Sequence, residues 1–251
     1  MLSAVILTKN EERHIIDCIE SLSFCSEIIV VDDFSEDRTL DVVKNTFPNV
    51  KIFKRKLDFN FAQQRNFGLS KATNDWVLFI DVDERVPKPL AEEIIEVTKS
   101  PSENVAYKIR RVDVLWGKQL QYGETGNTYL IRLGKKDAGK WIGKVHEIWH
   151  VKGNVGELEK AIIHYPHPTV AEFLKEINFY TTLRAQELYD KKVKTKWWEI
   201  ILYPKGKFLV NFFLKRGFMD GIPGLLLALI MSFHSFLVRA KLWLLWEKEN
   251  S

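Results

Sequence analysis

The chain has 251 residues, 46% of them hydrophobic, enough to bury one sizeable α/β core with a carboxyl-terminal extension. Its two cysteines, Cys18 and Cys25, lie in and after a single helical pattern and read as buried thiols of a reducing compartment, which excludes a disulfide scaffold or a cysteine-built metal site. The formal charge is only +4, and the amino terminus opens on a strand pattern without the basic and apolar segments of a secretory signal, so the chain is expected in the cytoplasm.

Ala4-Val5-Ile6-Leu7-Thr8 predicts a first strand, followed by Lys9-Asn10-Glu11-Glu12 and a helical pattern through Ile15, Ile16, Ile19 and Leu22. Ile28-Ile29-Val30-Val31 predicts a second strand ending in Asp32-Asp33. Ser35 then caps a helix whose apolar side is Leu40, Val42 and Val43. Val50-Lys51-Ile52-Phe53 is a third strand, 59–71 a third helix, and Val77 to Ile80 a fourth, fully buried strand. Strands alternating with helices at this spacing predict an α/β fold with a mostly parallel sheet and helices on both faces.

Asp81-Val82-Asp83 closes the fourth strand. Ligands of open α/β sheets bind at the carboxyl ends of the strands. Two carboxylates there suit a hard divalent cation, and such a cation bridges phosphates, so a phosphorylated substrate is expected. Alone the pair reads equally well as a turn. Acidic residues at the ends of two separate strands favour a site. A D-x-D-x-T phosphatase is excluded by Arg85, and a dinucleotide-dependent oxidoreductase by the lack of glycine in Thr8-Lys9-Asn10-Glu11. A response-regulator-like module shares acidic strand ends but carries no basic aromatic tail.

Thr8-Lys9-Asn10-Glu11-Glu12, Val31-Asp32-Asp33-Phe34-Ser35-Glu36-Asp37-Arg38-Thr39, Gln64-Arg65-Asn66-Phe67-Gly68 and Asp81-Val82-Asp83-Glu84 together resemble the inverting family 2 glycosyltransferases. Lys144-Val145-His146-Glu147, His164-Tyr165 and Lys215-Arg216-Gly217-Phe218-Met219-Asp220-Gly221 are similar to the bacterial branch of lipopolysaccharide-core β-1,4-glucosyltransferases. Gly123-Glu124-Thr125-Gly126-Asn127 differs from that branch's glycine-and-tryptophan segment. The resemblance runs over nearly the whole chain. It implies a GT-A fold, the Rossmann-like nucleotide-diphospho-sugar transferase sheet, over 1–168, with a helical extension over 169–251.

It also implies roles. Asp83 is the expected ligand of a Mg²⁺ or Mn²⁺ ion that stabilises the leaving nucleoside diphosphate, and His164, at another strand end, completes the metal shell or is a structural histidine. Asp81 accepts a ribose hydroxyl. Asp33 meets the base, expected to be uracil, and Thr8, Asn10 and Glu12 flank the nucleotide. Arg65 offers a cation to the diphosphate or the sugar, or else belongs to a solvated helix face. Glu147 is the expected general base, with His146 and Glu124 as the other candidates. His146 and Glu147, if on a strand, point to opposite faces. The expected reaction moves a hexose from a UDP-sugar such as UDP-glucose to a cell-envelope glycan or glycolipid, with inversion. The alternative is a non-catalytic membrane scaffold that kept the nucleotide-binding fold.

Charge and aromatics concentrate in the tail: 191–251 counts about +7 against about −3 for the rest, and holds eleven of the 31 aromatic residues. Apolar neighbours around those aromatics exclude a nucleic-acid surface. Ile222 to Val238 has 17 residues without a formal charge, the lower edge for a spanning helix. We expect the helices to lie in the anionic cytoplasmic interface, with Phe208 to Leu214 and Leu225 to Ile230 supplying buried area. Packing in a homo-oligomer and a true span are the other readings.

Overall fold

The computed structural model describes residues 1–58, 60–126, 128–143, 147–166 and 169–249. The chain forms two compact units, Met1–Arg111 with Thr128–His164, and Val112–Asn127 with Tyr165–Ser251. A division at 168 does not separate out the segment Val112–Asn127, which groups with the second unit.

In the first unit β1 (Leu2–Thr8), α1 (Ile15–Ser21), β2 (Glu27–Asp32), α2 (Thr39–Thr46), β3 (Lys51–Lys54), α3 (Phe61–Lys71) and β4 (Trp76–Asp81) alternate. After them come β5 (Glu84–Arg85), α4 (Lys88–Lys99), β6 (Asn104–Leu115), β7 (Lys118–Gln119), β8 (Thr128–Lys135), β9 (Gly139–Ile142), β10 (Ile148–Val151) and β11 (Asn154–His164). The main sheet runs β3-β2-β1-β4-β8-β6-β11-β5. Its first four strands are parallel, as expected. Beyond β4 the β4–β8, β8–β6 and β11–β5 pairs are antiparallel, so the sheet is mixed.

The continuous apolar runs follow from burial on both faces. Ala4, Ile6, Val30, Leu78 and Ile80 meet α1, α2 and α4 on one side. The alternate residues Val5, Ile29, Val31, Val77 and Phe79 meet α3 and the β9–β10 hairpin on the other. Gly68 lets α3 approach closely, since a Cβ there would stand 2.5 Å from Val5 Cγ1. On the same face Trp141 stacks on Trp149 at 5.5 Å, and both rings meet Phe79 edge-on. Asn66 pins the hairpin to α3, donating to the Trp141 carbonyl at 2.8 Å and accepting its N–H at 2.9 Å. Cys18 and Cys25 are free thiols, and burial pushes both up.

Ser35 does not cap α2. That helix starts at Thr39, whose N–H donates to Asp37 Oδ1 at 3.0 Å, while Ser35 folds back on Asp32. The third helix starts at Phe61, capped by Asn60, which accepts the Gln63 N–H at 3.0 Å.

In the second unit the end of β6 turns into β7 through Trp116 and Gly117, both at positive φ, the pairing a two-residue type I′ hairpin requires. α5 (Val170–Asp190), α6 (Trp197–Leu209), a π turn (Val210–Leu214), a 3₁₀ turn (Gly217–Asp220) and α7 (Gly221–Glu249) follow. Leu115, Leu120, Phe173, Ile177, Leu227 and Ile230 form its core. Asp220 holds the segment after β7 by accepting the Gln121 and Tyr122 N–H groups at 3.1 and 2.9 Å. The 17-residue apolar stretch is part of a continuous helix of 29 residues. Gly217–Lys248 is the one helical segment, among the described residues, long and apolar enough to cross a membrane.

Candidate active site

The parallel strands bring their carboxyl ends together, and the residues singled out by the sequence fall there in two groups. The first surrounds Thr8 and Asp33. Thr8 ends β1, is 6% exposed, and its Oγ1 has no hydrogen-bond partner. Its carbonyl accepts the Asp33 N–H at 2.9 Å. Asp33 receives Lys9 Nζ at 2.8 Å and the Leu57 N–H at 2.9 Å. Asn10 and Glu12 are used to build the loop. Asn10 donates its N–H to Ser35 Oγ and accepts the Glu36 N–H, each at 2.8 Å. Glu12 accepts from the Arg38 N–H and Nε at 3.2 and 3.3 Å.

The second group forms around Asp81. Arg65 reaches in from α3, donating Nη2 to Asp81 Oδ1 at 2.8 Å and Nε to Glu147 Oε1 at 2.6 Å. Its guanidinium lies over Trp141, 4.7 Å from the ring centroid. At 4% exposure Arg65 is not on a solvated helix face, and its buried Nη1 has no partner among the described residues. Glu147 immediately precedes β10, so the pinned hairpin aims it at Arg65. Among the described residues its second oxygen, Oε2, makes no hydrogen bond, while the side chain stays 13% exposed. His146 lies outside the described residues. Glu124 belongs to the second unit, where Lys207 Nζ at 2.7 Å and Asn211 Nδ2 at 2.9 Å each take one of its oxygens.

Arg132, on β8, escaped the sequence reading. Its Nη2 donates to Asp81 Oδ2 and, at 2.9 Å, to Glu84 Oε1. Glu84 is fully buried and accepts the Asp81 N–H at 2.9 Å. Burial pushes the Asp81 carboxyl up, but the Arg132 and Arg65 guanidiniums outweigh it and hold it well below the usual carboxylate range. Glu84 goes the other way: burial, with Asp81 and Asp83 nearby, raises it despite Arg132. Asp81 is thus an anion fixed from two sides. The available signal was a charged side chain inside the apolar strand Thr128–Lys135.

Asp83 Oδ2 lies 3.1 Å from His164 Nε2. The β5–β11 pairing creates this contact, since His164 stands opposite Glu84 in the register. Burial raises the Asp83 carboxyl, and the hydrogen bond and charge of His164 bring it below its ordinary value. A carboxylate oxygen and an imidazole nitrogen are donor types that would hold a divalent cation, which would supply positive charge opposite a phosphate. No group of three or more metal-ligating side chains occurs among the described residues.

Residues 3–151 match the family described as Glycosyl transferase family 2. The lipopolysaccharide core biosynthesis glycosyltransferase LpsC of Rhizobium meliloti is 30% identical over 254 residues, covering 96% of this chain and 92% of LpsC. An uncharacterized glycosyltransferase of Rickettsia typhi is 28% identical over 96% of this chain and 86% of its own. Among solved structures, Staphylococcus aureus TarS 1-349 in complex with UDP-GlcNAc aligns over 99% of this chain and 92% of that one, at 14% identity and a TM-score of 0.48. The family match spans the four parallel strands, both acidic strand ends, Arg65 and Glu147, and the likeness to LpsC over 96% of this chain extends through the helical tail: the chain belongs to glycosyl transferase family 2.

Proposed function

We propose that this glycosyltransferase transfers a hexose from a nucleotide diphosphate sugar, UDP-glucose or a close relative, to a cell-envelope glycan or glycolipid, with inversion in a single displacement. The observation that carries the reading is the pair of opposed groups at the end of β4: Asp81 fixed by Arg65 and Arg132, and Glu147 fixed, among the described residues, by Arg65 through one oxygen. Asp33 accepts the base N–H, Thr8 Oγ1 donates to the nucleotide, and Asp81 accepts a ribose hydroxyl. Glu147 Oε2 takes the proton of the acceptor hydroxyl. The acceptor oxygen, losing its proton to Glu147, bonds to the anomeric carbon as the bond to the diphosphate breaks, and the electron pair leaves with UDP. Arg65 positions both carboxylates, and its Nη1 is left to the diphosphate or the sugar.

Asp83 and His164 would hold Mg²⁺ or Mn²⁺, which when bound supplies Lewis-acid neutralisation of the leaving diphosphate. The name of LpsC supports a lipopolysaccharide-core acceptor. A glycolipid acceptor also suits the second unit, whose exposed Phe213, Leu214, Phe218 and Ile222 sit beside exposed Lys215 and Arg216; we assign these to the cytoplasmic membrane interface.

The test is hydrolysis or transfer from a panel of UDP-hexoses with Mn²⁺, together with Glu147→Gln. We expect UDP release from one hexose in preference to the others. Turnover should fall roughly 10²-fold or more in Glu147→Gln with UDP affinity unchanged. Binding of no nucleoside diphosphate by the full chain, or full turnover in the variant, overturns the corresponding part of the reading.

A further inference from the structure

Phe34 is anomalous on two counts. It follows Asp33 directly, and its φ is +53°, in the left-handed region that a bulky L-residue rarely adopts. It is also 53% exposed, so no burial in the fold offsets that strain. Its ring contact is Lys54 Nζ at 6.0 Å from the centroid, at the outer limit of a cation–π interaction.

The surroundings enforce this geometry. The Ser35 N–H donates to Asp32 Oδ2 at 3.0 Å, the Asn10 N–H to Ser35 Oγ at 2.8 Å and the Glu36 N–H to Asn10 Oδ1 at 2.8 Å. Asn10 is itself at φ +55°. Three hydrogen bonds among four residues on two loops therefore hold Phe34 in a disfavoured backbone conformation with its side chain exposed. Strain over-determined by its neighbours is a mark of a binding site.

We propose that Phe34 is a base-stacking residue for the nucleotide; this rests on the reading of the β1 and β2 ends as the nucleotide-sugar site. The chemistry selects a base in preference to a sugar or a lipid. An exposed aromatic face offers stacking to a flat π-system. The adjacent Asp33 carboxylate accepts hydrogen bonds in reach of a ring N–H. Thr8, whose carbonyl takes the Asp33 N–H, adds a buried hydroxyl without a partner. Lys54 beside the ring adds a cation to which a nucleotide phosphate can pair.

The experiment is calorimetric titration of the full chain with UDP and Mn²⁺, comparing wild type with F34W, F34L and F34G, and melting each apoprotein. Stacking predicts that F34W keeps wild-type affinity and that F34L and F34G lose about tenfold or more, tenfold being about 1.4 kcal/mol. Glycine removes the left-handed strain, so F34G should melt at or above wild type while binding UDP more weakly. That opposition of signs separates a ligand role from a structural one. F34G or F34L binding UDP within about twofold of wild type overturns the assignment while leaving the nucleotide site standing. A wild-type chain that binds no nucleoside diphosphate removes the site reading and the assignment with it.

Discussion

Arg132 and Asp81 form the central ion pair of the first unit, and Arg132 shares the same Nη2 with the fully buried Glu84. One guanidinium thus neutralises two carboxylates, with Arg65 adding a second cation to Asp81. Removing Arg132 leaves, among the described residues, Asp81 to Arg65 alone and the buried Glu84 with only Arg111 Nη1 at 4.0 Å. We expect Arg132→Met to cost roughly 3–5 kcal/mol in urea unfolding, the cost of breaking a buried ion pair from one side. Double replacement, Arg132→Met with Glu84→Gln, should recover part of it, because Glu84 is raised by burial and its neutral form suits the site. A single variant within 1 kcal/mol of wild type would contradict this account.

Glu27 offers a second, pH-resolved test. It accepts hydrogen bonds from Lys51 Nζ at 2.6 Å, the Thr73 N–H at 2.8 Å and Thr73 Oγ1 at 3.0 Å, and also from Ser3 Oγ. Burial opposes ionisation, but these donors win and lower its pKa from 4.5 to about 2. The folded value is depressed, so the carboxylate's contribution is complete above pH 4.5 and is lost as pH falls through about 2. That shift corresponds to about 3 kcal/mol. Glu27→Gln should therefore be less stable than wild type by about that amount at pH 7, with the gap closing on acidification. A gap that does not change with pH would refute it.

Parallel strands buried on both faces print their position directly into sequence, so β1, β2 and β4 were legible as apolar runs, and the placement of Asp33 and Asp81 at their carboxyl ends was legible with them. Arg132 was not. Its partners depend on the antiparallel β4–β8 register, which sets Leu78 opposite Leu133 and is a long-range pairing without a local signature. Glu84 was visible in the Asp81-Val82-Asp83-Glu84 motif, yet its burial depends on the short β5–β11 pairing. Arg65 was legible as a candidate but not as a buried clamp. That followed from Gly68, one turn on, which seats α3 against Val5. Ser35 fits a capping pattern, but its hydroxyl is claimed by Asp32 and Asn10, leaving Asp37 to serve Thr39.

Asp83 and His164 are expected to act together. Asp83→Asn should abolish the Mn²⁺ dependence of UDP affinity while changing the melting temperature little, since both side chains retain solvent contact. His164→Ala should weaken the same dependence without abolishing it. Titration of UDP with and without EDTA reads both. Mn²⁺-dependent affinity unchanged in Asp83→Asn would end the metal assignment.

The tail yields the last prediction. The sequence pattern assigns Leu225 to Ile230 to the membrane interface, but Leu227 and Ile230 are spent on the core of the second unit with Phe173 and Ile177. Of the apolar side chains that are left, Leu214 in the π turn and Ile222 at the start of α7 are the most exposed, at 77% and 74%. Lys205, Lys215 and Arg216 are exposed as well, whereas Lys207 is bound to Glu124. Cutting the chain before Trp197 would strip α5 of its packing partner, so point substitutions make the cleaner test. Phe213→Ser, Leu214→Ser, Phe218→Ser and Ile222→Ser together should lower vesicle binding at all salt concentrations, leaving UDP affinity and the melting temperature near wild type. Lys205→Gln, Lys215→Gln and Arg216→Gln should instead remove the preference for anionic over neutral vesicles. Each cation near such a surface contributes about 1 kcal/mol and is screened within a Debye length. The wild-type preference should fall as salt rises, with a residual apolar part persisting. A full-length wild type that stays monomeric without detergent and ignores both vesicle types would show that this surface does not meet a membrane.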